Sequence, residues 1–346
     1  FYLLVNNNHN VPFFDGLLII IVSIVISYLT TKLIEKPIRK IKLRTHRKKI
    51  GSIVALCTLP FFVLVTIWNI NVQNEIEVKS SFSTNTGFLL ENSSTDHLNI
   101  NDIIPSPLQA REDIPISYHD GCHQGIGKST VIKCYYGHTD PEYTIALVGG
   151  SHSAHWLPAL EEIAKENKIE IVNMTKSGCR FTTDPNVVED CFDFNNNLID
   201  SIIDLNPDIV FTTADIGESQ EIPVGYLEQW EKLANHNINV FAIRDNGRFP
   251  FDPPTCIEEH GVNSEECKLP REEFMPEESP WEQLKTKPEN VYYFETGDYF
   301  CKDDECGPVV GRILAFRDKG HITATFARAM APYIKPALFE ALENKK

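Results

Sequence analysis

The chain has 346 residues, nine cysteines and a net charge of −16. That length allows about two domains, with ample core for one globular unit of about 220 residues. The charge is uneven: residues 1–70 carry nine Lys or Arg against Asp15 and Glu35, which leaves the remainder at about −23. Such a remainder is repelled by nucleic acid and by anionic membrane surfaces, and suits a neutral glycan better than a phosphate-rich polymer.

In chain order, residues 16–31 form an uncharged apolar run and residues 51–70 a second one, long enough to cross a bilayer. Between them KLIEKPIRKIKLRTHRKK carries nine Lys or Arg from Lys32 to Lys49. Two transmembrane helices joined by a basic cytoplasmic loop are expected, so that Phe1 and everything after Ile70 face outward. A signal peptide is disfavoured, because the first run lacks a basic leader and a second run follows. Residues 1–72 are therefore the membrane part. Residues 73–115, rich in Asn, Ser, Thr and acids, are expected to be a flexible extracytoplasmic linker. Residues 116–346 form the outer domain of a multi-pass cell-membrane protein.

Within that domain strands and helices alternate. Strands are predicted at residues 143–148, 168–174, 208–213 and 239–243, and helices at 156–167, 196–205 and 226–235. Alternation of this kind implies crossover connections, hence an α/β fold of three layers, α/β/α, with a parallel sheet covered on both faces. Ligands bind such sheets at the carboxyl ends of the strands, where Ser151, Gly178, Asp215 and Asn246 fall. Residues 249–280, rich in Gly, Pro and Cys, interrupt the alternation and are expected to shape the substrate cleft.

Eight of the nine cysteines lie beyond the second apolar run, with Cys57 inside it as apolar filler. An even count on an outer face implies disulfides. Eight cysteines allow 105 connectivities, and the preference for short loops pairs Cys122 with Cys134, Cys179 with Cys191, Cys256 with Cys267, and Cys301 with Cys306. No CxxC pair or matched Cys/His spacing points to zinc, so no metal is expected.

The chemistry resides in two blocks. YTIALVGGSHSAHW runs an apolar strand into a two-glycine turn and delivers Ser151 to the first turn of a helix, where unpaired N–H groups face whatever the serine attacks. Far downstream, FRDKGHIT places Asp318 and His321 three residues apart before another helical run. One loop thus supplies a general base and the carboxylate that orients it. Asn246, in an Asp-Asn-Gly after a strand, reads first as a turn former. His152 and His155, at the helix start, read as local packing or hydrogen bonding, with a substrate role open to His152.

These blocks, together with Lys176-Ser177-Gly178-Cys179 and Arg244-Asp245-Asn246, resemble an SGNH hydrolase domain of the type fused to membrane acyltransferases, from roughly Asp120 onward. That family carries Gly-Asp-Ser-His where this chain has Gly149-Gly150-Ser151-His152. The resemblance implies a serine acyl-enzyme, with the N–H of Gly178 joining that of Ser151 in the oxyanion hole. A third donor, an asparagine in many relatives, has no counterpart near Thr213-Ala214-Asp215, and Asn246 is a candidate substitute. LLIIIVSIVISYLTTKLIEKPIRK resembles the last part of a membrane acyltransferase 3 domain. With Phe1 in place of a methionine, the chain is expected to be the tail of a longer protein. The implied activity is O-acyl transfer, of acetyl from acetyl-CoA through the chain's own membrane domain, to a hydroxyl of a surface glycan. An extracytoplasmic carbohydrate esterase with the same triad, and a non-catalytic glycan-binding module, are the alternatives.

Overall fold

The computed structural model describes residues 13–36, 58–59, 62–66, 98–187 and 189–344. They belong to two compact units divided between Val78 and Lys79. In the first, a helix over Phe13–Thr30 continues into a π turn over Thr31–Glu35. Its stretch Gly16–Leu33 is long and apolar enough to cross a membrane. Ile20, Ile24 and Tyr28 are exposed on it, and the Thr30 hydroxyl donates back to the Ile26 carbonyl at 2.7 Å, satisfying itself within the helix. The second apolar run is described only at residues 58–59 and 62–66, which are helical. The rest of the second span, the basic loop from residue 37, Cys57 and the linker up to residue 97 lie outside the described residues.

The second unit is built on a six-stranded sheet: β1 (Cys134–Gly137), β2 (Tyr143–Gly149), β3 (Ile169–Thr175), β4 (Ile209–Thr213), β5 (Asn239–Ile243) and β6 (Val291–Phe294), in the order β1-β3-β2-β4-β5-β6. Five strands are parallel; β1 runs antiparallel along β3, with Cys134 opposite Asn173. The expected parallel sheet therefore gains an antiparallel edge. β1 is only four residues long, and its CYYG carries too little apolar run to be read as a strand.

Alternation in the strands sorts the core into two layers. Ile145, Leu147, Ile171, Phe211, Phe241 and Ile243 face one side, and Ala146, Val148, Val172, Met174, Val210 and Val240 the other. On the first side lie α2 (Leu157–Glu166) and α6 (Ala324–Glu343); on the second lie α3 (Glu189–Leu205) and α4 (Val224–Ala234). Leu157, Leu160, Ile163 and Ala164 make one stripe of α2, and Phe194, Leu198 and Ile202 one of α3, at the spacing that puts residues on a single helix face. Helix α6 starts at a threonine cap: Thr323 Oγ1 accepts from the Phe326 N–H and donates to the Leu314 carbonyl.

Residues 100–115, assigned from sequence to the linker, belong to this unit. Ile103 and Ala110 are fully buried against Ile257 and Leu314, Ile104 bridges Ile313, and Asp113 accepts the first free N–H groups of α6, those of Ala324 and Thr325. A segment poor in periodicity is held by contacts with residues up to 212 positions away, which composition does not reveal. The excursion after β5 carries α5 (Pro253–His260), capped by Asp252 and packed on this same segment.

The four bridges are Cys122–Cys134, Cys179–Cys191, Cys256–Cys267 and Cys301–Cys306, the sequential set that short loops favour. Each closes a loop that stabilises mainly by restricting the unfolded chain, by up to about 3 kcal/mol. Replacing both Cys179 and Cys191 by alanine should lower unfolding free energy by about 2–3 kcal/mol in urea titrations. Peptide mapping without reduction should return the four pairs, and eight free thiols would contradict the fold.

Candidate active site

Ser151 opens α1 (Ser151–Ala154), directly after β2. The sheet changes direction of growth here: β3 lies on one side of β2 and β4 on the other, the switch point at which open α/β sheets bind ligands. Gly149 has φ +114°, and a Cβ there would meet Ser153 Oγ at 2.5 Å, so the turn requires glycine. The turn is braced through the main chain. The Lys176 N–H donates to the Gly149 carbonyl at 3.0 Å, and the Gly150 carbonyl accepts from Ser153 and Ala154. An aspartate at position 150 is not needed for that bracing.

The loop that follows Phe316 places the base. Arg317 N–H bonds the His321 carbonyl and Phe316 bridges Ile322, closing a tight loop whose Asp318 accepts the N–H groups of Gly320 (2.9 Å) and His321 (2.8 Å). Both Asp318 oxygens lie 2.9 Å from His321 Nδ1, and His321 Nε2 lies 2.8 Å from Ser151 Oγ. With Nδ1–H given to the carboxylate, the Nε2 lone pair accepts the serine proton. Burial pushes the Asp318 carboxyl up, but the His321 ring bonded to it and the two N–H donors outweigh it and hold the group well below the usual carboxylate range. Burial, against the pull of Asp318, holds His321 below its ordinary value. The result is an ionised aspartate and a neutral base. The structure thus brings Ser151, His321 and Asp318 together.

Gly178 sits in the loop after β3 with φ +64° and is exposed. The residues around it are fixed from several directions. Lys176, 1% exposed, pairs with Asp190 at 2.6 Å and donates to the Gly125 carbonyl. Ser177 N–H bonds the Gln124 carbonyl, and Cys179 is tied to Cys191. Ser177 Oγ lies 3.0 Å from His123 Nε2, whose Nδ1 meets Thr175 Oγ1, which donates to Asn173. Burial, with the neighbouring His321 ring next, lowers the His123 imidazole to about 4. Neutral His123 therefore donates from Nδ1 and accepts the Ser177 hydroxyl, completing a chain of bonds behind the Gly178 amide. Sequence reading missed His123, because its partners are distant in the chain.

Asn246 does not join this group. Its amide nitrogen donates to the Gly247 and Gly320 carbonyls at 2.9 and 2.7 Å, so it pins the triad loop to the end of β5 instead of facing an oxyanion. The preceding Arg244 is fully buried and paired with Glu295 at 2.9 Å. Asp215 is buried after β4 and accepts the Asp245 N–H at 2.7 Å. His152 binds Asp245 through Nδ1 at 2.7 Å, while His155 is fully buried beside Trp156. A groove of about 420 Å³ is lined by Arg248, Phe249, Pro250, Leu269, Glu273 and Lys319, between the excursion and the triad loop.

No curated protein matches the chain. Among solved structures, the periplasmic domain of a lipopolysaccharide acetyltransferase from Salmonella ser. Paratyphi A aligns at 13% identity and a TM-score of 0.44, over 58% of this chain and 85% of that one. A likeness of that degree does not bear on the reaction. The family model of the SGNH domain fused to AT3 domains matches residues 121–336, which hold all three members of the Ser151–His321–Asp318 chain, and the protein belongs to that family.

Proposed function

We propose that this protein transfers an acyl group, acetyl, to a hydroxyl of a cell-surface glycan through a Ser151 acyl-enzyme. The observation that carries the reading is the unbroken chain Ser151 Oγ, His321 Nε2, His321 Nδ1, Asp318 at the sheet's switch point. His321 takes the hydroxyl proton as Ser151 attacks the acyl carbonyl, and the N–H groups of Ser151 and Gly178 receive the developing oxyanion. His321 then protonates the leaving group. The acceptor hydroxyl, deprotonated by the same imidazole, attacks the acyl-enzyme and frees the serine.

Family membership supports a location outside the cytoplasm beside a membrane acyltransferase part, to which acetyl-CoA would give its acetyl group. The four disulfides support an oxidising compartment. The apolar stretch Gly16–Leu33 supports a membrane anchor. A glycan rather than a polyanion fits the acidic charge of the domain.

Ser151→Ala or His321→Ala should abolish turnover of a model acetyl ester by folded protein, and Asp318→Asn should cost about 10⁴-fold by spoiling the tautomer. Wild-type rates in Ser151→Ala would overturn the assignment.

The base works neutral and its pKa lies below the ordinary value of about 6.5. Activity should therefore persist as the pH falls past 6.5 and decline tenfold per unit below the lowered pKa. A pH profile of kcat/KM checks this; an acid limb at or above 6.5 would contradict it.

Transfer and hydrolysis separate in cells. Surface glycan should gain acyl groups when the intact gene is present and lose them when Ser151 is replaced. Net loss of acyl groups in the presence of the intact gene would make the protein a deacylase. A domain supplied without its membrane part should acylate poorly, because tethering supplies the effective concentration.

A further inference from the structure

Two histidine–aspartate pairs stand side by side in this site, and the serine mechanism uses only one. His152 follows the nucleophile. Its Nδ1 lies 2.7 Å from Asp245 Oδ1, and its ring centroid lies 4.8 Å from that of His321. Asp245 is 5% exposed at the side chain and is gripped by main-chain donors: Gly217 N–H on Oδ2 at 3.2 Å and Asn246 N–H on Oδ1 at 3.0 Å. The loop carrying Gly217 is pressed against β5's end so closely that a Cβ on Gly217 would meet the Asn246 carbonyl oxygen at 2.0 Å. These donors fix the Asp245 side chain in place against the His152 ring.

The groups facing the pair bear on its charge. Burial first, and then the neighbouring Asp245, push the Asp215 carboxyl well above the usual range. Burial works against a charge on His152, but Asp245 outweighs it and raises that imidazole above its ordinary value, with Asp318 helping and Arg180 opposing. His155, behind both rings, is held well below its ordinary value by burial and by His152 and His321, and is neutral. His123 is neutral too. Against His321 there remain the anion Asp318 and two cations, Arg317 from its own loop and His152 from α1.

We propose that His152 and Asp245 form a second histidine–aspartate pair with a positioning role in catalysis: Asp245 fixes His152 as an imidazolium against the ring of His321, and that cation keeps the catalytic base free of protons in acidic surroundings. The inference rests on His321 being the base for Ser151. A positive charge within about 5 Å opposes a second proton on His321, so the base stays available at lower pH. The cost is a weaker base at neutral pH, in proportion to its lowered proton affinity. The pair therefore trades peak rate for an operating range extended toward acid.

The test is histidine-ring NMR titration of the intact chain in detergent, beside pH profiles of model-ester turnover. In the wild type, His152 should stay protonated above pH 6.5. In His152→Gln, the His321 midpoint should rise by roughly half a unit or more, and the acid limb of kcat/KM should rise with it. Asp245→Asn should lower the His152 midpoint and raise that of His321. A folded His152→Gln protein with an unchanged His321 midpoint would overturn the proposal, as would a His152 that is neutral at pH 6.5 in the wild type. If His152→Gln does not fold, the wild-type titration and Asp245→Asn decide. Ester turnover equal in Ser151→Ala and wild type would sink the acyl-enzyme reading instead, while ring titration would still judge the pair.

Discussion

One hydrogen bond, between His321 Nε2 and Ser151 Oγ, joins residues 170 positions apart, and the rest of the domain exists to hold its two ends. A bond of this kind is useful only within a few tenths of an ångström. The serine end is set by a parallel strand, a glycine turn and the main-chain bond from Lys176. The histidine end is set by Asp318, by the Thr323 cap of α6 and by the Asn246 amide on Gly320. Both ends pack on the same face of the sheet, so the distance between them is fixed by how α6 and the triad loop seat on that face.

What could be read from sequence follows from how local each signal is. β2 and β4 are continuous apolar runs bounded by turns, and strand patterning reveals them directly. The serine and Asp318–His321 blocks are equally local, since each is a short motif with one chemical use. The four disulfides were legible because each spans no more than 12 positions. Residues 100–115 were not legible, because Ile103 earns its burial from Ile257 and Leu314. Strand β6, VYYF, follows an irregular stretch and is too short to show a period. Asn246 reads first as a turn former, with an oxyanion role open to it only through the family resemblance, and its side-chain direction is decided by the Gly320 carbonyl, 74 positions on.

Electrostatics organises the site on the same plan. The domain carries an excess of acid, yet its innermost charges are compensated one by one: Lys176 by Asp190, Arg244 by Glu295, His152 by Asp245. Leaving any of these without its partner would strand a buried charge, which commonly costs 3–5 kcal/mol. Such pairs add little net stability relative to apolar packing, but they fix which loop lies against which. Here they fix the loops that carry Gly178 and Asp245 around Ser151.

The spacing of the triad along the chain also has a temporal meaning. As the polypeptide is made, the nucleophile is complete long before its base exists. The helix that follows His321 is the last described helix in chain order, and Asp113, which precedes even the serine, accepts N–H groups of its first turn. Until that helix docks, the hydroxyl of Ser151 has no proton acceptor and is as unreactive as any surface alcohol. The proposed nucleophile is thus translated 170 positions before its partner imidazole, and the pair exists only once the two distant parts of the sequence have closed around the sheet.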